Sequence, residues 1–302
     1  MNRRSFLATG IGLGLGLAVG RASAAPLLPG PSFINTVLLG GSPEQKLRAA
    51  RAAGFDQVEL WTTDVARAEG GAAGVRALVT EIGLGLTDYQ VLLDFDGAPG
   101  DKRAAKRAEA LTMLDTAAAV GASTLLAPAS TDPDCDPARI TEDLVWLVDE
   151  ARRRGLRIAY EGLAWSTVNP SHAGAWATIR NLDPRHAGLV VDSYHLFVRG
   201  ETPAILGDVP PERIFLVQFS DIPGPVQPSD YREVARHARL LPGDGRLPLS
   251  GLVGKLSAIG YRGPVGLEVF NDRLKGESPE TVAKQAFGAL QKLLSEGANA
   301  AR

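Results

Sequence analysis

The sequence is poor in cysteine and has no excess of basic residues, and each shortage excludes a class of protein. Its single cysteine, Cys135, cannot form an internal disulfide, and no CxxC pair is present for zinc or redox chemistry. The formal net charge of -2 argues against a nucleic-acid-binding protein, because binding to phosphate backbones needs a basic face. No segment after the N-terminal region is apolar enough to span a bilayer. With 45% apolar and 22% charged residues, the composition is typical of a globular protein.

The N-terminal region is typical of a targeting segment. Arg3 and Arg4 precede a glycine-rich, mildly apolar run, and small residues at 22–24 provide a cleavage site. This pattern resembles a twin-arginine export signal, and the run is too short and too weakly apolar for a membrane anchor. We therefore expect residues 1–24 to be an export signal. The mature protein, residues 25–302, is then periplasmic and not membrane-bound.

The rest of the chain alternates short apolar strands with longer amphipathic helical patterns. The predicted strands are eight in number: 33–37, 57–61, 85–91, 124–128, 157–161, 188–192, 214–220 and 264–268. Eight strand-helix units in one domain of this length predict a (β/α)₈ TIM barrel. A doubly wound open sheet is the alternative, but it usually has fewer strands, and no GxGxxG motif follows the first strand. The long irregular stretch 221–245 is expected to form a lid or a pocket wall.

Oxygen-bearing side chains recur where four successive strands end. They are Glu161, Asp192, Gln218 and Glu268. Strand ends meet at one mouth of such a barrel, where three carboxylates would repel one another unless a cation neutralised them. We therefore predict a metal site, and carboxylate and amide oxygens suit Mn²⁺, Mg²⁺ or Co²⁺. Any one of these acids could instead cap a helix or form a salt bridge.

His195 follows Asp192 by three residues in VVDSYHLF. A lone histidine near a strand end is often a packed core residue, so its candidacy as a catalytic group depends on closeness to the metal site. Imidazole titrates near neutrality and can take a proton from a carbon next to a ketone whose oxygen the metal polarises.

These strand ends and their surroundings resemble a known family. The segments AYEGLAW, VVDSYHLFVRG, IFLVQFSD, RHARLLPGDG and GYRGPVGLEVFND are similar to the xylose isomerase-like TIM barrel superfamily of metal-dependent isomerases, epimerases and dehydratases. Within it the resemblance is greatest to bacterial 3-dehydroshikimate dehydratases. It implies that Glu161, Asp192, Gln218 and Glu268 bind the metal. Gln218 is distinctive, because the sugar epimerases and isomerases usually have histidine there.

The resemblance also implies roles for residues around the metal. His195 would be the catalytic histidine, and His237 and Arg239 would be the basic residues that bind substrate. Tyr89, Trp165 and Phe270 could line the pocket, although each aromatic could equally be barrel packing.

Two positions depart from the dehydratase pattern. Leu93 stands where an arginine would hold the substrate carboxylate, and Ala235 stands where a serine is expected. The substrate is therefore less well specified than the metal site.

Three functions follow from these observations. The first is a metal-dependent dehydratase of the dehydroshikimate type. The second is a sugar or sugar phosphate isomerase or epimerase that uses Glu161 and Glu268 as an acid-base pair. The third is an exported binding protein or pseudoenzyme on the same barrel. The substrate or ligand is in each case a small molecule, and an oligomer is compatible with the sequence. A DNA-repair endonuclease of this fold is disfavoured by the export signal and by the absence of a basic face.

Overall fold

Eight parallel strands form a closed barrel in the protein. The structure, a computed structural model, describes residues 28–300, with side chains described for 28–297. The strands are β1 Ser32–Asn35, β2 Gln57–Trp61, β3 Gly85–Gln90, β4 Thr124–Pro128, β5 Arg157–Glu161, β6 Ala187–Asp192, β7 Ile214–Phe219 and β8 Val265–Leu267. Each strand pairs with the next, and β8 pairs with β1 to close the sheet. The predicted (β/α)₈ barrel is confirmed.

The observed strands begin and end within two residues of the predicted ones. The first strand stops at Asn35, because the side chain of Asn35 accepts a hydrogen bond from the Val37 N–H and starts a 3-10 turn. The last strand stops at Leu267, which leaves Glu268 just beyond the sheet at the barrel mouth.

Helices cover the outside of the barrel. Within the described residues they are α1 Pro43–Ala53, α2 Thr62–Arg67, α3 Gly71–Ile82, α4 Arg103–Val120, α5 Ile140–Arg153, α6 His172–Ile179, α7 Ser193–Val198, α8 Tyr231–His237, α9 Leu249–Ala258, α10 Asp272–Lys275 and α11 Pro279–Ala300. Short 3-10 segments lie at Thr36–Leu38, Pro137–Arg139, Pro203–Asp208, Pro211–Arg213 and Pro228–Asp230. Local sequence defines the ends of α1. Ser42 and Gln45 form a capping box, and Gly54 ends the helix with a φ of 110°.

Side chains on the two faces of each strand enter two different cores. Outward side chains such as Leu60 and Val191 pack under the helices, whereas inward ones such as Phe33 and Phe215 fill the barrel. The phenyl rings need neighbours without side chains. A Cβ at Gly188 would lie 2.3 Å from the Phe215 ring, and one at Gly266 would lie 2.3 Å from the Phe33 ring. These two glycines therefore make room for the aromatic core beneath the mouth.

The long connection after β7 folds back onto the barrel mouth. It contains α8, which the sequence did not predict, and is fastened by isolated bridges from Asp221 to Leu240 and from Ala238 to Asn271. The Asp221 carboxylate also accepts hydrogen bonds from four backbone N–H groups of the connection, those of Ile222, Gly243, Gly245 and Leu247. The connection is thus an ordered wall of the mouth.

Two expectations concern membranes and targeting. Among the described residues, none of the helices combines the length and apolar character needed to cross a bilayer. The predicted export signal at residues 1–24 lies outside the described residues and stays a prediction.

Candidate active site

A small cavity opens at the carboxyl ends of the strands. Its lining combines charged groups with aromatic rings: Trp61, Gln90, Val91, Leu93, Pro128, Glu161, Leu163, Trp165, His195, Arg236, Arg239, Glu268 and Phe270. Strands β2 and β5 end in Trp61 and Glu161, and the connection after β7 supplies the two arginines. This is the end of the barrel where active sites of this fold lie.

Arg239 joins two of the predicted metal ligands. Its Nη1 donates to Asp192 Oδ2 at 2.7 Å and to Glu268 Oε2 at 3.3 Å, and its Nε donates to the Ala235 carbonyl. The guanidinium is buried with both carboxylates. Burial alone would raise the pKa of Asp192, but the charges of Arg239 and His195 and the hydrogen bonds from Arg239 and the Tyr194 N–H together hold that pKa below its ordinary value. Asp192 is therefore ionised at neutral pH.

The other two carboxylates are less well compensated. Burial raises the pKa of Glu268 to about 7, although Arg239 opposes the shift, and Asn35 Nδ2 donates to its Oε1 at 3.0 Å. Burial and the charges of Glu268 and Asp192 raise the pKa of Glu161 well above its ordinary value. Glu161 Oε1 is buried and has no hydrogen-bond partner among the described residues. This oxygen lacks the cationic or hydrogen-bonding partner that a buried carboxylate needs.

His195 lies over these carboxylates. Its Nε2 is 3.7 Å from Glu161 Oε1 and 3.8 Å from Asp192 Oδ2. Its Nδ1 accepts a hydrogen bond from the Ala164 N–H, so the neutral ring carries its proton on Nε2. The ring of Trp165 packs edge-on against it, with centroids 5.0 Å apart. Burial lowers the pKa of His195 to about 3, which keeps the ring neutral at physiological pH.

Gln218 lies beside Asp192 in the sheet register but contacts a different acid. Its Nε2 donates to Glu59 Oε1 at 2.8 Å, and its own Oε1 is buried without a partner among the described residues. Glu59 is next to Asp88 in the register of β2 and β3, and both are fully buried. Burial, followed by the charge of Asp88, raises the pKa of Glu59 well above its ordinary value.

The donor set fits a divalent cation. Ligand atoms of Glu161, Asp192 and His195 lie within 4.8 Å of one another. In the buried cluster, three carboxylates face one guanidinium, that of Arg239, which leaves two formal negative charges if all three acids are ionised. Two buried oxygens, one on Glu161 and one on Gln218, have no partner in the described chain. A divalent cation would supply both the missing charge and the missing partner.

Two of the predicted substrate-binding residues do line the cavity, and two do not. Trp165 and Arg239 line it, as does Phe270. Tyr89 does not, because Asp88 and Gln90 face the barrel interior and the alternation of the strand turns Tyr89 into the outer core, where burial raises its pKa to about 12. Tyr89 therefore lies outside this cavity.

His237, the other predicted substrate-binding residue, also lies outside this cavity. It ends α8 with a half-exposed side chain, and its Nδ1 contacts Asp272 Oδ2 at 2.9 Å outside the cavity. Arg236, one residue earlier, points to the mouth instead, since successive residues of a helix point about 100° apart. The positions that depart from the dehydratase pattern are also visible: Leu93 lines the cavity, and Ala235 is buried in α8.

Sequence analysis missed several polar groups of the site. They are Asn35, Glu59, Asp88, Gln90 and Arg236. A signal existed for three of them, because acids or amides inside short apolar strands, as in QVELW and TDYQV, are unusual unless they face a polar interior. Arg236 was noted only as part of the RHAR run.

The burial of Asp88 predicts a pH dependence of stability. Burial raises its pKa to about 8 from the value of 3.8 for an exposed aspartate. Between these values the folded state keeps a proton that the unfolded chain has released, so this contribution to stability is full below the unfolded value and is lost as the pH rises through 8. Asp88→Asn cannot ionise. From about pH 5 to 8 the free energy of unfolding of the wild type should fall more steeply than that of Asp88→Asn, by up to about 1.4 kcal/mol per pH unit.

Urea unfolding of the metal-free proteins at several pH values measures this difference. Parallel curves for wild type and Asp88→Asn would mean that Asp88 is ionised in the folded protein throughout that range, contrary to the prediction.

The chain belongs to the xylose isomerase-like TIM barrel family, whose model matches residues 47–293. Two curated relatives, named 3-dehydroshikimate dehydratases, come from Pseudomonas aeruginosa and Pseudomonas putida. They are 36% and 34% identical to this chain over 241 residues, which is 79% of the chain and 38% of each relative. The chain thus spans well under half the length of these relatives.

Solved structures agree on the fold. A xylose isomerase-like TIM barrel/4-hydroxyphenylpyruvate dioxygenase fusion protein superposes with a TM-score of 0.84 and 31% identity, over 89% of this chain and 43% of the fusion protein. The IOLI protein with a bound zinc atom superposes with a TM-score of 0.77 at 19% identity, over 88% of this chain and 98% of its own. The second likeness concerns the fold alone.

Proposed function

We propose that this protein is a divalent-metal-dependent dehydratase acting on a hydroxylated cyclic keto acid of the 3-dehydroshikimate type. The observation that carries the proposal is the buried cluster of three carboxylates around Arg239, with unpartnered oxygens on Glu161 and Gln218. The substrate class comes from the names of the two Pseudomonas relatives. Because the chain covers 38% of the length of each relative, the proposed activity depends on the site of this chain as well as on the names of the relatives.

The proposed ligands are Glu161, Asp192, Gln218 and Glu268. Oxygen donors favour Mn²⁺, Mg²⁺ or Co²⁺. Zn²⁺ belongs in any test, since the IOLI protein holds zinc on the same fold. A divalent cation bound there would draw charge from a ketone oxygen and make the neighbouring C–H bond more acidic.

The residues of the chain then move the protons. His195 enters with its proton on Nε2, so it is placed to donate to a departing hydroxyl. To act as the base that the sequence predicts, His195 would have to release the hydrogen bond that its Nδ1 accepts from the Ala164 N–H. Glu161 Oε1 lies 3.7 Å from His195 Nε2, and we assign to it the removal of the proton from the carbon next to the ketone. Glu161 then passes this proton to His195 Nε2 as the imidazole gives its own proton to the departing hydroxyl, so both residues end as they began. The substrate loses one water and its ring becomes aromatic.

Arg239 and Trp165 are proposed to hold the substrate. Among the described residues no group accepts from Nη2 of Arg239, whose other nitrogens are engaged, so Nη2 is available to a substrate oxygen. Trp165 supplies a flat wall beside His195. In this proposal Nη2 of the buried guanidinium binds the substrate, and Nη1 binds the metal ligands Asp192 and Glu268.

Arg236 is proposed to bind the substrate carboxylate in place of the arginine that Leu93 replaces. Its guanidinium lines the cavity between Trp165 and Phe270, with its carbon 6.0 and 5.8 Å from the ring centroids. Among the described residues it has no salt bridge. Arg236→Met should raise KM by about 10- to 100-fold, the cost of losing a hydrogen bond to a charged group, with kcat less affected.

Arg232→Met is the matched control, because Arg232 is exposed on the same helix outside the cavity. Steady-state kinetics on both variants measures the difference. Equal KM values for Arg236→Met and the wild type would show that the carboxylate binds elsewhere.

Incubation of the metal-loaded protein with 3-dehydroshikimate tests the function. Appearance of an aromatic dihydroxybenzoate in the ultraviolet spectrum is expected. Interconversion of ketoses without an aromatic product would favour the epimerase alternative, and binding without turnover of either substrate would favour a binding protein.

A further inference from the structure

The side chain of Gln218 makes its hydrogen bond across the barrel interior. Gln218 lies near the end of β7, and its Nε2 donates at 2.8 Å to Glu59 Oε1 on β2. Strands β8 and β1 lie between β7 and β2 in the barrel. Both side chains have no solvent exposure. The two residues are 159 positions apart in the chain, so only the closed barrel brings them together.

A glutamine can bind a metal ion through only one end of its amide. The oxygen carries lone pairs, whereas the NH₂ group offers two donors and would repel a cation. The two ends are similar in shape, so packing alone does not choose between them. Glu59 Oε1 accepts from the amide nitrogen, and the proton that burial keeps on this acid is shared with Asp88, so Oε1 does not donate and selects the NH₂ end. Gln218 Oε1 is left without a partner in the described chain.

We propose that Glu59 is a positioning residue that fixes the amide of Gln218 with its oxygen available to the metal. The inference depends on the proposed metal site. Without Glu59 the amide would be free to turn over and present its NH₂ group to the cation. The role is analogous to that of outer groups that orient metal-binding histidines.

The surroundings of Glu59 argue against a purely structural role. Among the described residues, Glu59 Oε2 and the oxygens of Asp88 have no partner except each other, since one proton is shared between the two acids. Buried acids in this condition cost stability, and well-packed apolar side chains of similar size would be at least as stable. Apart from the neighbouring acid Asp88, Gln218 is the side chain that Glu59 contacts by a hydrogen bond among the described residues.

Two conservative variants separate reach from the ability to ionise. Glu59→Asp keeps an ionisable acid but withdraws the acceptor by one methylene, whereas Glu59→Gln keeps the reach and a carbonyl acceptor but cannot ionise. Metal-stripped proteins are titrated with Mn²⁺ alone, and free Mn²⁺ is followed by electron paramagnetic resonance. Glu59→Asp should weaken Mn²⁺ binding by about 10- to 100-fold, and Glu59→Gln should stay within about threefold of wild type. A role through charge alone predicts the opposite order, and that order would overturn the proposal.

A double variant tests whether Glu59 acts through Gln218. Gln218→Met should weaken Mn²⁺ binding, and adding Glu59→Asp should weaken it no further, because the amide to be positioned is gone. The absorption spectrum of bound Co²⁺ should change in Glu59→Asp and in Gln218→Met but not in Glu59→Gln. Thermal unfolding of the metal-free variants checks that each is folded.

The outcomes also separate this inference from the metal site itself. If Gln218→Met weakens Mn²⁺ binding and Glu59→Asp does not, the positioning role is wrong and the ligand set stands. If Gln218→Met binds Mn²⁺ like the wild type, Gln218 is not a ligand and the positioning role is wrong as well.

Discussion

Replacing Glu161 with alanine is expected to remove metal binding and turnover together. Glu161 ends β5, is buried, and carries an oxygen without a partner among the described residues. The like charges of Glu268 and Asp192 destabilise the ionised form of Glu161, and a bound cation would offset this repulsion. Loss of a direct ligand should reduce Mn²⁺ affinity by more than about 100-fold, the upper end of the cost of losing an outer partner.

Metal analysis and Mn²⁺ titration of Glu161→Ala measure this loss, with Asp88→Asn as the control. Asp88 is an equally buried carboxylate of the barrel interior but is not a proposed ligand, so its variant should keep the metal. The metal-free form of Glu161→Ala should unfold at least as late as metal-free wild type, because a buried acid without a hydrogen-bond partner on Oε1 has gone. Equal metal content in Glu161→Ala and wild type would exclude Glu161 from the ligand set.

His195→Ala should have the opposite pattern, with metal and fold retained and turnover lost. The imidazole presents Nε2 to Glu161 and Asp192, and its other nitrogen is held by the Ala164 N–H. General acid-base catalysis contributes about 10² to 10⁴-fold, so kcat should fall by that factor. Because burial lowers the pKa of His195 to about 3, no histidine titration near its ordinary value of 6.5 should appear in the pH profile of kcat/KM.

Steady-state kinetics at saturating Mn²⁺ measures both effects. Turnover by His195→Ala within a few-fold of wild type would make the histidine a packing residue and assign proton transfer to the carboxylates, as an epimerase mechanism would require.

The fold could be predicted because its determinants are local. Each strand is a short apolar run followed by an amphipathic helix, and eight repeats of this pattern leave little choice of architecture. The observed strand ends differ from the predicted ones by at most two residues, and local hydrogen bonds can set such an end. Asn35, for example, ends β1 by accepting from the Val37 N–H. Helix α8 was missed because its seven residues lie in a stretch with prolines and glycines, and tertiary contacts stabilise it.

The carboxylates of the site could also be anticipated, since strand ends in a barrel share one mouth. Contacts across the barrel could not. The partner of Gln218 is Glu59, 159 residues away, and no local pattern encodes that pairing. The side of a strand or helix to which a side chain points was equally hard to predict. Tyr89 turns outward because its polar neighbours Asp88 and Gln90 face inward, and His237 turns away because Arg236 faces the mouth.

The central claim is that one divalent ion, bound by strand-end oxygens, is required for dehydration of a cyclic keto acid. The direct measurement is a titration of the metal-stripped protein with Mn²⁺ in the presence of 3-dehydroshikimate, with the aromatic product followed by its absorbance. The account predicts no product without metal, and a rate that rises with added Mn²⁺ and saturates at one ion per chain. Full activity in the metal-stripped protein, or one tightly bound ion with no product formed, would contradict it.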